Sequence, residues 1–374
     1  MTTTVAPHHP LSDRALNGWT GGQYSLLRVL FALSAVVYAA SAWLGSSEGT
    51  ELQRWGAVGL LFLVALPLAM GVLDRLAAVA LCGLLLLHRF LTPTPELLVA
   101  WPAFESLLLL HAFTPPAPYG SWAARGRPDP GGQWQLSDRL HDVAWLVVGL
   151  SHLFAGLASG IAMNWSLSQG VWPWAVVCIH LAFLPLALWR FTRPVALILG
   201  LISLSLGPLE GSVILSVSAH LACFTPAWLV RAEPSPEVLF FDGTCGLCHR
   251  AVRFCLAEDA GGELLRYAPL QSGAFEARLP AGVRANLPDS IVVLTEEGEV
   301  MVKTDAVVRC LSRFGGLWRL FAWALRCIPR RLRDSVYDGI AALRHRLFQA
   351  PHSACPLVPA SLQPRFLDAP DSMG

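Results

Sequence analysis

The sequence predicts a polytopic α-helical membrane bundle of about eight spans, followed by a C-terminal α/β domain. Three observations point there. The 374 residues are 54% hydrophobic and only 14% charged, where soluble domains carry about 25% charged residues. Residues 1–230 hold 10 Arg, no Lys and 10 acids, whereas residues 231–374 hold 17 basic residues and 16 acids. Near Arg231 the apolar runs also shorten, from about 20 residues, the length that crosses a bilayer core, to strand-like pieces. Near-neutral balances in both parts leave no footprint for nucleic acid.

A polar leader, residues 1–23 with Asp13 and Arg14, comes first. It lacks the short basic start of a signal peptide, so the first apolar run reads as a retained span. The transmembrane domain, 24–230, then shows runs at about 24–44, 55–73, 76–91, 97–113, 141–162, 172–189, 194–209 and 211–230. With both termini on one side, that side receives Arg14, Arg75, Arg125, Arg127, Arg139, Arg190, Arg193 and Arg231, against Arg54 and Arg89 opposite. This bias predicts a multi-pass protein of the plasma or inner membrane with both termini cytoplasmic.

Ionisable residues interrupt these spans, among them Glu105, His111, His152, His180 and His220. Such groups face a bundle interior or a water-filled cavity and mark a site, although one interhelical hydrogen bond also accounts for any single histidine. Five together predict an intramembrane polar site. A quinone, a lipid or a small thiol would each suit it, and the residues do not choose among them. No metal site is indicated.

After a linker, 231–237, comes the second domain, 238–367. It opens with an apolar strand, Val238-Leu-Phe-Phe241, then Asp242-Gly-Thr-Cys245-Gly-Leu-Cys248-His249, then a segment with helical periodicity to Glu258. A thiol entering a helix meets unpaired backbone N–H groups and the positive end of the dipole, which favour thiolate. Cys245 is therefore expected to be the more exposed thiol and the nucleophile, with Cys248 resolving the mixed disulfide. His249 and Arg250 would add positive charge. Asp242 either hydrogen-bonds the turn or accepts a proton from Cys248. Cys255 reads as core. Two other readings of the pair stay open: half of a zinc site, which needs a second ligand pair that Cys310, Cys327, His345, His352 and Cys355 do not form by spacing, or an inert packing pair. The strand–CxxC–helix context favours redox use.

The remainder fits a thioredoxin-like scheme. Leu264–Ala268 reads as a second strand, Ser272–Leu279 as a short helix, and Ser290–Thr295 with Glu299–Lys303 as a hairpin. Helices follow at about 304–314, 316–328 and 331–348. Pro288, before the hairpin, is either the cis-proline common beside a CxxC in such folds or an ordinary loop proline. Arg326, Arg330, Arg331, Arg333, Arg344 and Arg346 form a basic stretch, read as docking onto anionic lipid or as a solvated helix face.

Residues 238–367 resemble the DCC family of thiol-disulfide oxidoreductase-like proteins, named for an Asp-x-x-Cys-x-x-Cys motif that is Asp242 to Cys248 here. Pro288-Asp-Ser290, Thr304-Asp-Ala306 and Cys355-Pro356 add to the resemblance, which implies a thioredoxin-like fold and disulfide exchange. The membrane part resembles the horizontally transferred transmembrane domain, related to vitamin K-dependent carboxylase and to DoxX-like proteins, through Leu27-Arg-Val29 and His152-Leu-Phe-Ala-Gly156 to Trp165 and Gly170. The Lys that such domains often carry before that Trp is absent, so no catalytic residue is carried over. The expected function is a membrane-anchored thiol-disulfide oxidoreductase exchanging electrons with a ligand of the membrane domain. The alternative is a transporter or a small-molecule or lipid-binding protein with a redox-sensing domain. Expected partners are a thiol or disulfide protein, a small thiol and membrane lipids, but no nucleic acid.

Overall fold

The computed structural model describes residues 16–44, 50–91, 100–166, 170–206, 213–348 and 359–367, and among the described residues eight α-helices precede Phe224. Expectations for Asp13, Arg14, His352, Cys355 and Pro356, and for the side chains of His345 and Arg346, lie outside the described residues. The chain divides into two units. The first comprises residues up to Asn17, Tyr24–Ala123 and Gln135–Thr225; the second comprises Gly18–Gln23, Ala124–Trp134 and residues from Pro226 onward.

The helices of the first unit are α1 Gly21–Leu44, whose first three residues belong to the second unit, α2 Glu51–Met70, α3 Asp74–Leu91, α4 Ala100–His111, α5 Asp138–Ala162, α6 Val171–Leu188, α7 Arg193–Leu206 and α8 Val213–Cys223. Local chemistry sets their ends. Thr50 and Gln53 form a reciprocal capping box at the start of α2, and Gly71 ends that helix in the left-handed region. Small residues set the packing of α5 on α6: a Cβ at Gly149 would stand 2.7 Å from the Leu184 side chain, and one at Gly156 2.9 Å from Leu181.

Only α1, α2, α5 and α6 are long and apolar enough to cross a bilayer. The expectation of eight spans is therefore corrected to four among the described residues. Helix α3 carries Asp74, Arg75 and Arg89 within its 18 residues. As described, α4, α7 and α8 run 12, 14 and 11 residues, short of the roughly 20 that a 30 Å core requires.

The second unit is a small sheet wrapped by helices. Its elements are β1 Glu237–Phe241, α9 Gly246–Glu258, β2 Leu265–Pro269, α10 Gly273–Arg278, α11 Ala281–Arg284, β3 Val292–Leu294, β4 Val300–Val302, α12 Lys303–Phe314, α13 Gly316–Cys327 and α14 Arg330–Leu347. Strand order is β2-β1-β3-β4. β1 runs parallel to β2, joined through α9, and antiparallel to β3, which pairs antiparallel with β4. Strand periodicity sorts the core. Leu239 and Phe241 join Tyr267 and Val293 on one face with α9 and α12, whereas Val238 and Phe240 join Ala268 and Val292 on the other with α10. β1 is buried along its whole length, which explains its unbroken apolar run. It takes in Glu237, which the sequence had assigned to the linker.

At the C-terminal end of α9 the buried Glu258 carboxylate accepts hydrogen bonds from the Thr20 hydroxyl, the Gly22 N–H and the Trp318 indole, tying three distant segments of this unit together. Burial outweighs these donors and pushes the Glu258 carboxyl up to about 6. The folded state thus keeps a proton that the unfolded chain releases near pH 4.5, so this group lowers stability as pH rises from about 4.5 to 6 and contributes no further change above that. Against a Glu258→Gln variant, the native chain should lose up to ~2 kcal/mol across that window. Denaturant unfolding of both chains at pH 4.5 and 7 checks this, and parallel curves would remove it.

Candidate active site

Strand β1 ends at Phe241, and the chain turns through Asp242, Gly243 and Thr244 before α9 begins. Cys245 is the N-cap of α9, with Cys248 in the first turn. The Cys248 backbone N–H donates to Cys245 Sγ at 3.4 Å, so the sulfur satisfies one of the donors that a helix start leaves open. Burial, followed by the bond and charge of the Cys245 sulfur, pushes the Cys248 thiol up to about 12. Cys248 thus holds its proton and lends it to its neighbour.

Both thiols are buried, Cys245 at 1% and Cys248 at 7% exposure, which corrects the expectation that Cys245 is the more exposed. Both belong to the core cluster with Leu239, Phe241, Val252 and Val293, and α14, which packs on α9, carries Arg344 and Tyr337 within electrostatic range of the pair. The Arg344 guanidinium interacts with both sulfurs, and the Tyr337 phenol with Cys248. Arg344 is itself buried. Its Nη2 donates to both oxygens of Asp289 at 2.7 Å and lies 3.6 Å from Asp242 Oδ2.

Asp242 serves the turn. Its Oδ1 accepts from the Thr244 N–H at 2.9 Å, the Thr244 hydroxyl at 2.7 Å and Gln271 Nε2 at 3.2 Å. Burial alone would raise the carboxyl, but these donors and Arg344 hold it below the ordinary carboxylate value. His249 bonds the Gly243 carbonyl through Nε2 at 3.0 Å and packs edge-on to Phe241, so it braces the turn rather than the sulfurs. Arg250 lies over the Phe348 ring, 4.8 Å from its centroid. The peptide before Pro288 is trans, which corrects the cis alternative; Pro288 belongs to an ordinary half-buried loop that leads into Asp289. Cys255 lies in the core cluster against Cys310, and this contact together with burial drives its thiol well above the ordinary range.

Comparison with known proteins decides the family. The description "DCC1-like thiol-disulfide oxidoreductase" matches residues 239–350. The uncharacterised protein YuxK of Bacillus subtilis (strain 168) is 36% identical over 140 residues, which is 37% of this chain and 99% of that protein. The chain belongs to the DCC1-like thiol-disulfide oxidoreductase family. The chloroplastic DCC family protein At1g52590 of Arabidopsis thaliana is 30% identical over 116 residues, 31% of this chain and 67% of that protein. No solved structure matches significantly. The family match lies within the second unit, and the carboxylase-like and DoxX-like resemblance of the membrane part gains no support from it.

Within this DCC1-like unit, sequence reasoning missed Arg344, Asp289 and Tyr337. Arg344 had been grouped with a basic stretch. The structure disperses that stretch: Arg330 and Arg333 pair with Asp305, and Arg344 with Asp289. No local signal marked this pairing, because Asp289 is an exposed carboxylate that water alone would satisfy.

In the first unit, three of the five residues expected within spans come together. His180 Nδ1 meets His152 Nδ1 at 2.8 Å, His152 Nε2 meets His220 Nε2 at 2.9 Å, and His220 Nδ1 meets the Ser216 carbonyl at 2.7 Å. Since a carbonyl only accepts, His220 carries its proton on Nδ1. With neutral rings, His152 then donates from Nε2 and His180 from Nδ1. Phe183 stacks on His152 with centroids 4.0 Å apart. His111 and Glu105 are not part of this chain. His111 bonds the Tyr24 hydroxyl at 2.6 Å and lies 3.6 Å from Asp74, and Glu105 is buried with Oε1 unpartnered among the described residues.

Proposed function

We propose that this chain is a membrane-anchored thiol-disulfide oxidoreductase with Cys245 as nucleophile and Cys248 as resolving thiol. One observation carries the assignment: Cys245 Sγ caps the start of α9 and accepts from Cys248, whose own thiol is held protonated. The family supports the reaction class. The strand order, with a CxxC opening the helix after β1, supports the thioredoxin-like reading.

The Cys245 thiolate attacks one sulfur of a substrate disulfide, forming a mixed disulfide and releasing the other sulfur as a thiolate. Cys248 then gives up its proton and attacks Cys245 Sγ. The internal disulfide closes, the second substrate thiol leaves, and two electrons have passed from dithiol to substrate. The reverse sequence oxidises a dithiol substrate. Because both sulfurs are buried, exchange requires the surrounding structure to yield. The substrate is a protein or small-molecule disulfide or thiol.

Four membrane-crossing helices are again an even number. The arginine-bearing connections Arg75–Arg139 and Arg190–Arg231 then share the side of the termini, which supports a cytoplasmic domain. A second reading, a binding or transport protein for a quinone, lipid or small thiol with a redox-sensing domain, is favoured by the histidine chain.

Acid-quenched alkylation of the full chain, poised in glutathione buffers, is the test. The expected result is a two-electron titration of Cys245 and Cys248, with turnover of a model disulfide. Titration without turnover supports the sensing reading, and unreactive cysteines exclude both.

A further inference from the structure

One cavity of the C-terminal unit has no part in the exchange chemistry. It holds about 310 Å³ beside the outer strand β4 and the junction of α13 and α14, where Arg309, Arg326, Arg330 and Arg333 face Glu299 and Asp305. Arg309 is committed to Glu237, and Arg330 and Arg333 share Asp305. Glu297 also meets Arg309 and Asp334 also meets Arg330, so what is left over is guanidinium donors rather than net charge. Nε and Nη1 of Arg333 are buried without a hydrogen-bond partner among the described residues, and Arg326 is exposed in the last turn of α13. The 18-residue α14 starts here, adding its open N–H groups.

From Arg333 an apolar stripe runs along α14 through Val336 and Ile340, three and seven residues on, flanked by Leu332 and Leu343; each is about half exposed. Helix α13 adds exposed Leu320, Phe321 and Trp323. A bare apolar face of this length beside a guanidinium cluster and a tryptophan has the character of a helix lying in the bilayer interface. The same chain carries four helices able to cross a bilayer, which keeps a lipid surface within reach.

We infer that the cavity binds the phosphate of an anionic phospholipid while the α13–α14 face rests among its acyl chains. Guanidinium groups match phosphate in charge and donor geometry, and the stripe distinguishes a lipid from a soluble phosphate.

The test uses the full chain in nanodiscs, with Cys178, Cys245, Cys248, Cys327 and Cys355 replaced by Ser and an environment-sensitive fluorophore placed on Ile340→Cys or, as the control away from the stripe, on Asp338→Cys. In phosphatidylcholine discs containing phosphatidylglycerol, the label at 340 should shift to the blue and be quenched by spin-labelled lipid, whereas the label at 338 should stay aqueous. Arg333→Gln should weaken the phosphatidylglycerol dependence roughly fivefold. Arg326→Gln, which breaks no ion pair seen in the structure, should do the same. An emission independent of phosphatidylglycerol overturns the inference, as does a blue shift without lipid quenching, which means protein covers the face. Binding of glycerol phosphate that Arg326→Gln abolishes, with no quenching at 340, assigns the cavity to a soluble anion instead.

Discussion

Replacing Cys248 with Ser is expected to turn the chain into a trap for its substrate. Cys245 keeps the backbone N–H of residue 248 as donor, so it still attacks a disulfide, but no thiol remains to release the adduct. Mixed disulfides on Cys245 should accumulate and be visible by mass spectrometry. Cys245→Ser should instead abolish exchange while leaving the fold intact, because the swap is nearly isosteric and the hydroxyl still accepts the cap bond. Loss of exchange in both variants, with adducts on neither, would show that the sulfurs are structural. Adducts on Cys248 in the Cys245→Ser chain would reverse the two roles.

The largest stability effect is expected at Glu237. This buried carboxylate, at the first residue of β1, accepts from Arg309 Nε at 3.0 Å and from Arg313 Nη1 at 3.0 Å. Arg313 is buried as well. Removing the acid in Glu237→Ala leaves that cation without its counter-charge, a change worth ~3–5 kcal/mol when a buried pair loses one partner. At roughly 2–4 °C per kcal/mol for a domain of this size, the unfolding midpoint of the second unit should fall by about 10 °C. Glu237→Gln keeps an acceptor oxygen and should cost less. Removing both buried charges, as in Glu237→Leu with Arg313→Leu, should recover most of the loss. A midpoint unchanged by Glu237→Ala would mean that Arg309 and Arg313 are solvated. Because β1 delivers the Asp242 turn, exchange activity should fall with the folded fraction and no further.

Local features were legible because their causes are local. The run Val238–Phe241, the turn residues Asp242–Thr244 and the helical spacing after Cys248 each act within a few residues, and β1 and α9 form where those signals place them. The hairpin and the last three helices follow for the same reason. Span count was less legible: α4, α7 and α8 as described are shorter than the roughly 20 residues that cross a bilayer core, and α3 carries three charged groups.

The amino-acid sequence by itself determined the division into an apolar helical part and a charged α/β part, and the presence of a dithiol at a helix start. Tertiary structure decided what covers that dithiol. Cys245 is buried among Val293, Ala306 and Cys310, 48 or more residues away, and Arg344, 99 residues away, pairs with Asp289 and Asp242 beside it. It likewise decided that His152, His180 and His220 form one chain while His111 and Glu105 do not, and that Glu258 holds Thr20 and Trp318. The physical reason is the same in each case. Periodicity and capping act over one or two turns and are written in neighbouring residues, whereas the partner of a buried polar group is fixed only when distant segments pack together and exclude water from it.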